Sequence, residues 1–246
     1  MHIPPEITIA ELVRNGTMSA EVAGLLWAAV DERVSFLTAA IPRFAGKSTT
    51  SEAVLAMRPP EVPLHLVTGE PDEMERLRRA SVGGYLVVAE FSDAPVPGYI
   101  WGEPVRRVFD TLQAGYALQA ALHAPSVLDA VLEVTQGNRV DDAAASAIGL
   151  VLYIERFGTN LSNFWRRLAE VYEVDRVVRG RPVGRSLYRW LPETDRFEMV
   201  AEPRNFAQDA SDLLARAEVL GDLARSGRTS SREVRAALAR YRASRL

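Results

Sequence analysis

The residue types best suited to chemistry sit together at Gly46, Lys47, Ser48 and Thr49, the closing half of the pattern G-x-x-x-x-G-K-[ST]. In that pattern backbone N–H groups and a helix N-terminus surround a phosphate, the lysine reaches the outer phosphates, and the next hydroxyl holds Mg2+. Ile41 stands where the opening glycine belongs, and Arg43, Phe44 and Ala45 put side-chain bulk on the approach. Phe44 is costly there if the loop needs a positive φ. The lysine carries more weight. Of 29 lysines and arginines 28 are arginine, which leaves Lys47 as the only lysine in 246 residues. A guanidinium fork does not mimic a compact ammonium on a flexible stem. A lysine inside Gly-Lys-Ser, in so arginine-rich a chain, therefore points to an anion site.

Three further side chains can serve that chemistry. Glu90 lies at the end of the most apolar run, "GGYLVVAEF", where a carboxylate can position or deprotonate a water; the plainer alternative is a strand-end carboxylate in solvent. Glu70 closes "LVTGE" within the acidic stretch "GEPDEMER", which also reads as solvated surface. His123 follows "YALQAAL", where an ordinary hydrogen-bonded role is the alternative to a ligand contact.

These residues need elements to hold them. Ser19 caps a helix carrying Val22, Leu25, Leu26, Ala29 and Val30 at helical spacing, which delivers the chain to a strand at 34–40. A loop at 41–47 and a helix from Ser48 to Met57 follow, ended by "RPPEVP". Strands are expected at 64–69, 83–91, 116–124 and 148–157, with helices at "PDEMERLRRA", 104–113 and 126–134 between them. This alternation defines an α/β class with a mainly parallel sheet covered on both faces. After residue 157, "FWRRLAEVYEVDRVV", "GRSLYRWL" and "DRFEMVA" read as antiparallel hairpin strands joined by "RGRPVG" and "PETD". Helices close the chain; one stops at Gly227, and Ser230 with Glu233 opens the next as a capping box. The expected organisation is a lead-in at 1–33, a nucleotide-binding core at 34–202 with hairpins at 164–201, and C-terminal helices at 203–246. Arg235, Arg240, Arg242 and Arg245 read as a solvated helix face.

Composition narrows the chemistry. The absence of cysteine removes disulfides, thiolate catalysis and cysteine-bound zinc, and three histidines (His2, His65, His123) leave little for a histidine metal cluster. A net charge of -3 gives no basic footprint, so no nucleic-acid partner is expected. Without a membrane-length apolar run or a signal-peptide pattern in "MHIPPEITIAELVRNG", the expected location is the cytoplasm.

The order of these features resembles the nucleotide-binding domain of the type II/type IV secretion and pilus-assembly ATPases, in particular the branch serving Flp-type and archaeal pili. "ITIAELVRNGTMSAEVAGLLWAAVDERVSFLTAA" is similar to the family's lead-in, "AGKSTT" to its Walker A end, "LVTGE" to its acidic box and "YLVVAE" to its Walker B strand. "LQAGYALQAALHA" resembles its histidine box, "SLYRWLPETDRF" its late hairpin, and "RAEVLGDLARSGRTSSREVRAALARY" its C-terminal helices. The resemblance implies a RecA-like P-loop core binding ATP and Mg2+ through Arg43, Phe44, Ala45, Gly46, Lys47, Ser48 and Thr49, with Ser48 on the metal. It implies Glu90 as general base or water-positioner, Glu70 as its helper and His123 as a γ-phosphate sensor. It further implies a homo-oligomeric ring working on a membrane-embedded pilus or secretion platform. The chain differs from the family at Pro71, Tyr116 and Ala121, has about 19 residues between Glu70 and Glu90, and lacks matches to the family's phosphate-neutralising arginines, for which Arg76, Arg78 and Arg79 are partial substitutes. A divergent member without the family's separate N-terminal domain is expected. Two other functions fit these residues: a scaffold that binds nucleotide without hydrolysing it, and another P-loop enzyme such as a kinase.

Overall fold

The computed structural model describes residues 7–42, 44–160, 163–205 and 209–245. Two short helices, α1 (Ile9–Arg14) and α2 (Ala20–Asp31), are opened by the side chains of Thr8 and Ser19, each accepting from the backbone three residues on. They lead into β1 (Phe36–Ile41), the loop carrying Gly46, and α3 (Lys47–Leu55). The chain then alternates through β2 (Leu64–Leu66), α4 (Pro71–Ala80), β3 (Gly84–Phe91), a two-residue β4 (Tyr99–Ile100), α5 (Glu103–Leu112), β5 (Tyr116–Leu122), α6 (Val127–Leu132) and α7 (Asp142–Ala145). Four long or hairpin-joined strands follow, β6 (Leu150–Asn160), β7 (Asn163–Val178), β8 (Arg181–Leu191) and β9 (Arg196–Met199), then α8 (Ala210–Arg225) and α9 (Ser231–Ala243). The protein is thus a mixed α/β fold with a mostly parallel central sheet, antiparallel strands at one side and C-terminal helices.

Among the described residues the strands form one nine-stranded sheet in the order β2-β3-β5-β1-β6-β7-β8-β9, with β4 beside β3. β2 through β6 pair in parallel, and β6 to β9 continue the sheet antiparallel. The hairpins expected after residue 157 therefore extend the same sheet rather than forming a module of their own. Strand alternation sends successive residues of β1 to opposite layers. Phe36 and Ala40 join a core with α1, α2, α3, α8 and α9, whereas Leu37 and Ala39 join one with α4, α5 and α6. The apolar runs of β1, β3 and β5 follow from this double coverage.

Element limits shift by a few residues from the periodicity. The pattern predicts that α6 runs to Val134, but after Leu132 the chain widens into a π turn, Glu133–Gly137. The short β4 and α7 carry too few residues to leave a period in the sequence. The capping box at Ser230 and Glu233 is present. The tail helices are the larger correction. Arg242 does not face solvent: it pairs with Asp31 at 2.5 Å and donates to the Met57 carbonyl. Arg245 reaches Asp212 at 3.1 Å. Arg216, 5% exposed, bridges Asp31 and Asp212, each at 2.6 Å, and its guanidinium lies over Trp27. Gly24 allows this docking, because a Cβ there would stand 2.8 Å from the Ala217 backbone nitrogen.

Candidate functional site

β1 and β5 are neighbours, paired from Phe36 with Gln119 to Ala39 with Leu122. The helices that follow them leave to opposite faces, α3 into the core of α1 and α2, and α6 into the core of α4 and α5. In an open α/β sheet such a divergence leaves a crevice at the carboxyl ends of the strands, where ligands bind. The loop with Gly46 follows β1, His123 follows β5, and Glu90 ends β3 on the far side of β5.

A cavity of about 410 Å³ opens at that crevice, lined by Phe44, Ala45, Gly46, Lys47, Ser48, Thr49, Glu90, Tyr99, His123 and Arg166. Lys47 and Glu90 are only 7% and 5% exposed. The Lys47 ammonium lies 3.3 Å from Glu90 Oε2 and 3.2 Å from each ring nitrogen of His123. His123 Nε2 is also 3.1 Å from Glu90 Oε1, but off hydrogen-bonding geometry, so Oε1 accepts no hydrogen bond. Three residues 33 to 76 positions apart thus meet around one ammonium.

α3 is fixed beneath the loop by buried polar contacts rather than by apolar packing alone. The Ser51 hydroxyl is 2.8 Å from that of Thr38 on β1 and accepts from the Gln119 amide on β5 at 3.0 Å. The first bond of the α3 ladder runs from Thr50 N–H to the Gly46 carbonyl, 2.9 Å, which leaves the earlier N–H groups at the helix's positive end outside the ladder. Gly46 needs its identity for its backbone, whose φ of +94° is left-handed; a Cβ there would also displace the Arg166 guanidinium that lies against it. Phe44 adopts φ +64° and is 70% exposed, so the strain expected at that position is present with little burial of its ring to offset it. The loop also contains a cis Ile41–Pro42 peptide.

Of the site residues expected from sequence, Phe44, Ala45, Gly46, Lys47, Ser48, Thr49, Glu90 and His123 converge on this cavity. Arg43 lies outside the described residues. Glu70 does not converge: it is the exposed residue preceding α4 and makes no cap. Glu73 takes that place instead, its Oε2 accepting from the Thr68 and Gly69 N–H groups at 2.8 and 3.1 Å. Arg78 and Arg79 pair with Glu75 on the outer face of α4, and Arg76 is exposed there too, so none of them lines the cavity. Two lining residues, Tyr99 and Arg166, carry no signal in the sequence. Tyr99 reaches the site because β4 pairs it with Glu90. Arg166 arrives on β7, and nothing in "FWRRLAEV" distinguishes it from the arginine beside it.

A roomier apolar cavity of about 580 Å³ lies between α1, the end of α3 and α9. No carboxylate or imidazole lines it, which makes it a poorer seat for reaction chemistry. Among the described residues no group of three or more histidine, aspartate and glutamate side chains could hold a metal ion, and no helix is long and apolar enough to cross a membrane. No protein-family model and no curated protein matches the chain.

Proposed function

We propose that the protein binds the phosphates of ATP·Mg2+ at the β1–α3 loop, as a divergent member of the pilus-assembly and secretion ATPases with a RecA-like core. The observation that carries this reading is the buried Lys47 ammonium at the N-terminus of α3, facing a strand-end carboxylate, Glu90, across a cavity at the sheet crevice. The strand order supports it as well. With β5 inserted between β1 and β3, Glu90 starts two strands from the loop, roughly 10 Å at ordinary strand spacing. That separation leaves room for a phosphate and a water between the two.

Phosphate entering against the Gly46 backbone draws Lys47 away from Glu90, since a dianion competes for the ammonium better than one carboxylate. Glu90, released from Lys47, can then hold a water in line with the terminal phosphate. His123, 3.1 Å from Glu90, is placed to steady that carboxylate or to meet the phosphate. Mg2+ keeps waters and binds through one or two protein oxygens plus substrate phosphates, and the Ser48 hydroxyl at the cavity would be its protein ligand. Bound there, Mg2+ would neutralise developing phosphate charge.

A non-hydrolysing scaffold is the second reading, favoured by the bulk at Ile41 and the strained Phe44, which restrict how closely the loop wraps a triphosphate. A cytoplasmic protein acting in a ring on a membrane platform is part of the proposal and rests on the order of the sequence motifs.

Thermal denaturation with millimolar ATP·Mg2+ tests the binding. Saturation at a hundred times Kd adds about 2.7 kcal/mol, roughly 5–10 °C in Tm for a chain this size. The rise should vanish in Lys47→Ala. In Glu90→Gln it should persist while any phosphate release is lost; phosphate release unchanged by Glu90→Gln removes Glu90 from the chemistry, and no release in the wild type selects the scaffold. A wild type whose Tm ignores ATP sinks the nucleotide reading.

A further inference from the structure

Arg166 stands apart from the arginines that dock the tail helices. It sits half-buried on β7, lines the same cavity as Lys47, and lies against the Gly46 backbone, where an added Cβ would meet its guanidinium. Among the described residues it has no carboxylate partner; its one side-chain neighbour of note is the ring of Phe164, 5.2 Å from the guanidinium carbon. Arg156 approaches the same ring at 5.3 Å, so two cations flank one aromatic surface beside the loop. Burial pulls the Arg166 pKa down from the ordinary arginine range, as expected of a cation partly withdrawn from water. The cavity lining therefore holds two basic side chains, Lys47 and Arg166, against one carboxylate, Glu90. β7 is held in place for this role: Leu168 N–H donates to the Thr17 carbonyl at 2.7 Å, and Arg167 pairs with Asp195 at 2.7 Å.

We infer that Arg166 is a phosphate-binding residue of this site, supplied by the chain's own β7 strand to clamp the polyphosphate seated against Gly46. The inference rests on the phosphate-loop reading above and adds to it the source of charge compensation. A planar guanidinium gives two parallel donors to phosphate oxygens, and the Phe164 ring, 5.2 Å away, is a neighbour that limits its motion. Because the excess positive charge is local, the ligand class is a polyphosphate rather than a neutral nucleoside.

Titration calorimetry with ATP, and separately with inorganic tripolyphosphate, on the wild type, Arg166→Ala, Arg166→Gln and Arg166→Lys tests this. Both neutral variants should weaken both ligands by about ten- to a hundred-fold, with a shallower salt dependence; Arg166→Lys should recover part of the loss. Unliganded melting temperatures of the Gln and Lys variants report whether packing alone has changed. If wild type binds and Lys47→Ala abolishes binding, but Arg166→Ala and Arg166→Gln bind as wild type does, the inference falls and the phosphate-loop reading stands. If the wild type binds neither ligand, both fall.

Discussion

The joint that docks the tail helices and the crevice at the end of β1 both gather several charges away from solvent, and they are built on opposite terms. Where the tail helices dock, Arg216 and Arg242 meet Asp31 and Asp212, and the Asp212 carboxylate also accepts from the Tyr241 hydroxyl at 2.6 Å. Each charge there has a counter-charge within the chain, and aromatic faces of Trp27 and Tyr241 cover the guanidinium of Arg216. At the crevice, Lys47 and Arg166 share a cavity with one carboxylate, and Glu90 Oε1 goes without a hydrogen bond. Balanced burial is what a structural joint requires, since an unpaired buried charge costs several kcal/mol. The unbalanced site has open volume in front of it, and its missing charge is negative. Sign and space together separate the proposed site from the joint.

The comparison breaks most visibly at the joint. Replacing Arg216 by methionine removes the cation from between the buried Asp212 and the partly buried Asp31, a loss of about 3–5 kcal/mol. Thermal melting of Arg216→Met should fall by roughly 6–20 °C, and a fall of only a degree or two would mean that the tail is not held by this cluster. Lys47→Ala leaves Glu90 buried without its cation and should also lower unliganded stability, but unlike Arg216→Met it should abolish the response to ATP. If Lys47→Ala, paired with Glu90→Gln to remove the stranded charge, still gains stability from ATP, the crevice is a second joint and not a site.

Acid sharpens the same contrast. Burial raises the Asp212 pKa, but hydrogen bonds from Tyr241 and Arg216 outweigh it and hold the carboxyl below the ordinary aspartate value of 3.8. A depressed folded pKa gives stability that is present above the unfolded value and is lost as pH falls through the folded one. The stability advantage of wild type over Asp212→Asn should therefore be constant above roughly pH 5 and shrink as the pH drops below 3.8. Denaturant titrations at stepped pH measure it, and a difference that does not change with pH would remove the ion pair as its cause. The smallest effect belongs to the loop. Phe44→Gly relieves a left-handed residue and should raise stability by about 1 kcal/mol, some 2–4 °C; a loss would show that the exposed ring packs on something after all.

Much of the fold is legible in the amino-acid sequence. The apolar runs at 36–40, 84–91 and 116–122 announce doubly covered strands, and Gly46-Lys47-Ser48 falls between a strand and a helix as its pattern requires. The site is legible in part. Residue type and position at strand ends mark Lys47, Glu90 and His123, and these are the three that meet. The same reasoning marks Glu70 and fails, because the strand leading to it lies at the sheet's edge, two strands beyond β5 from the cavity, and its side chain faces solvent. Of the C-terminal arginines, Arg235, Arg240 and Arg245 are exposed as their spacing suggests, and Arg242 misleads in the other direction. Spacing along a helix shows which residues share a face, not what that face meets, and α9 turns Arg242 toward Asp31, more than two hundred residues earlier.

Local sequence, acting over a few residues, determined the strands, the caps at Ser19 and Ser230, the glycine at the loop and the lysine behind it. Tertiary structure decided which strand lies beside which, and with it that Arg166 reaches Gly46 and that Arg216 finds two aspartates. The physical reason is range. Dihedral preference, capping and amphipathic period are carried by neighbouring residues, whereas strand order and helix docking arise from summed burial over the whole chain, in which no single residue announces its distant partner.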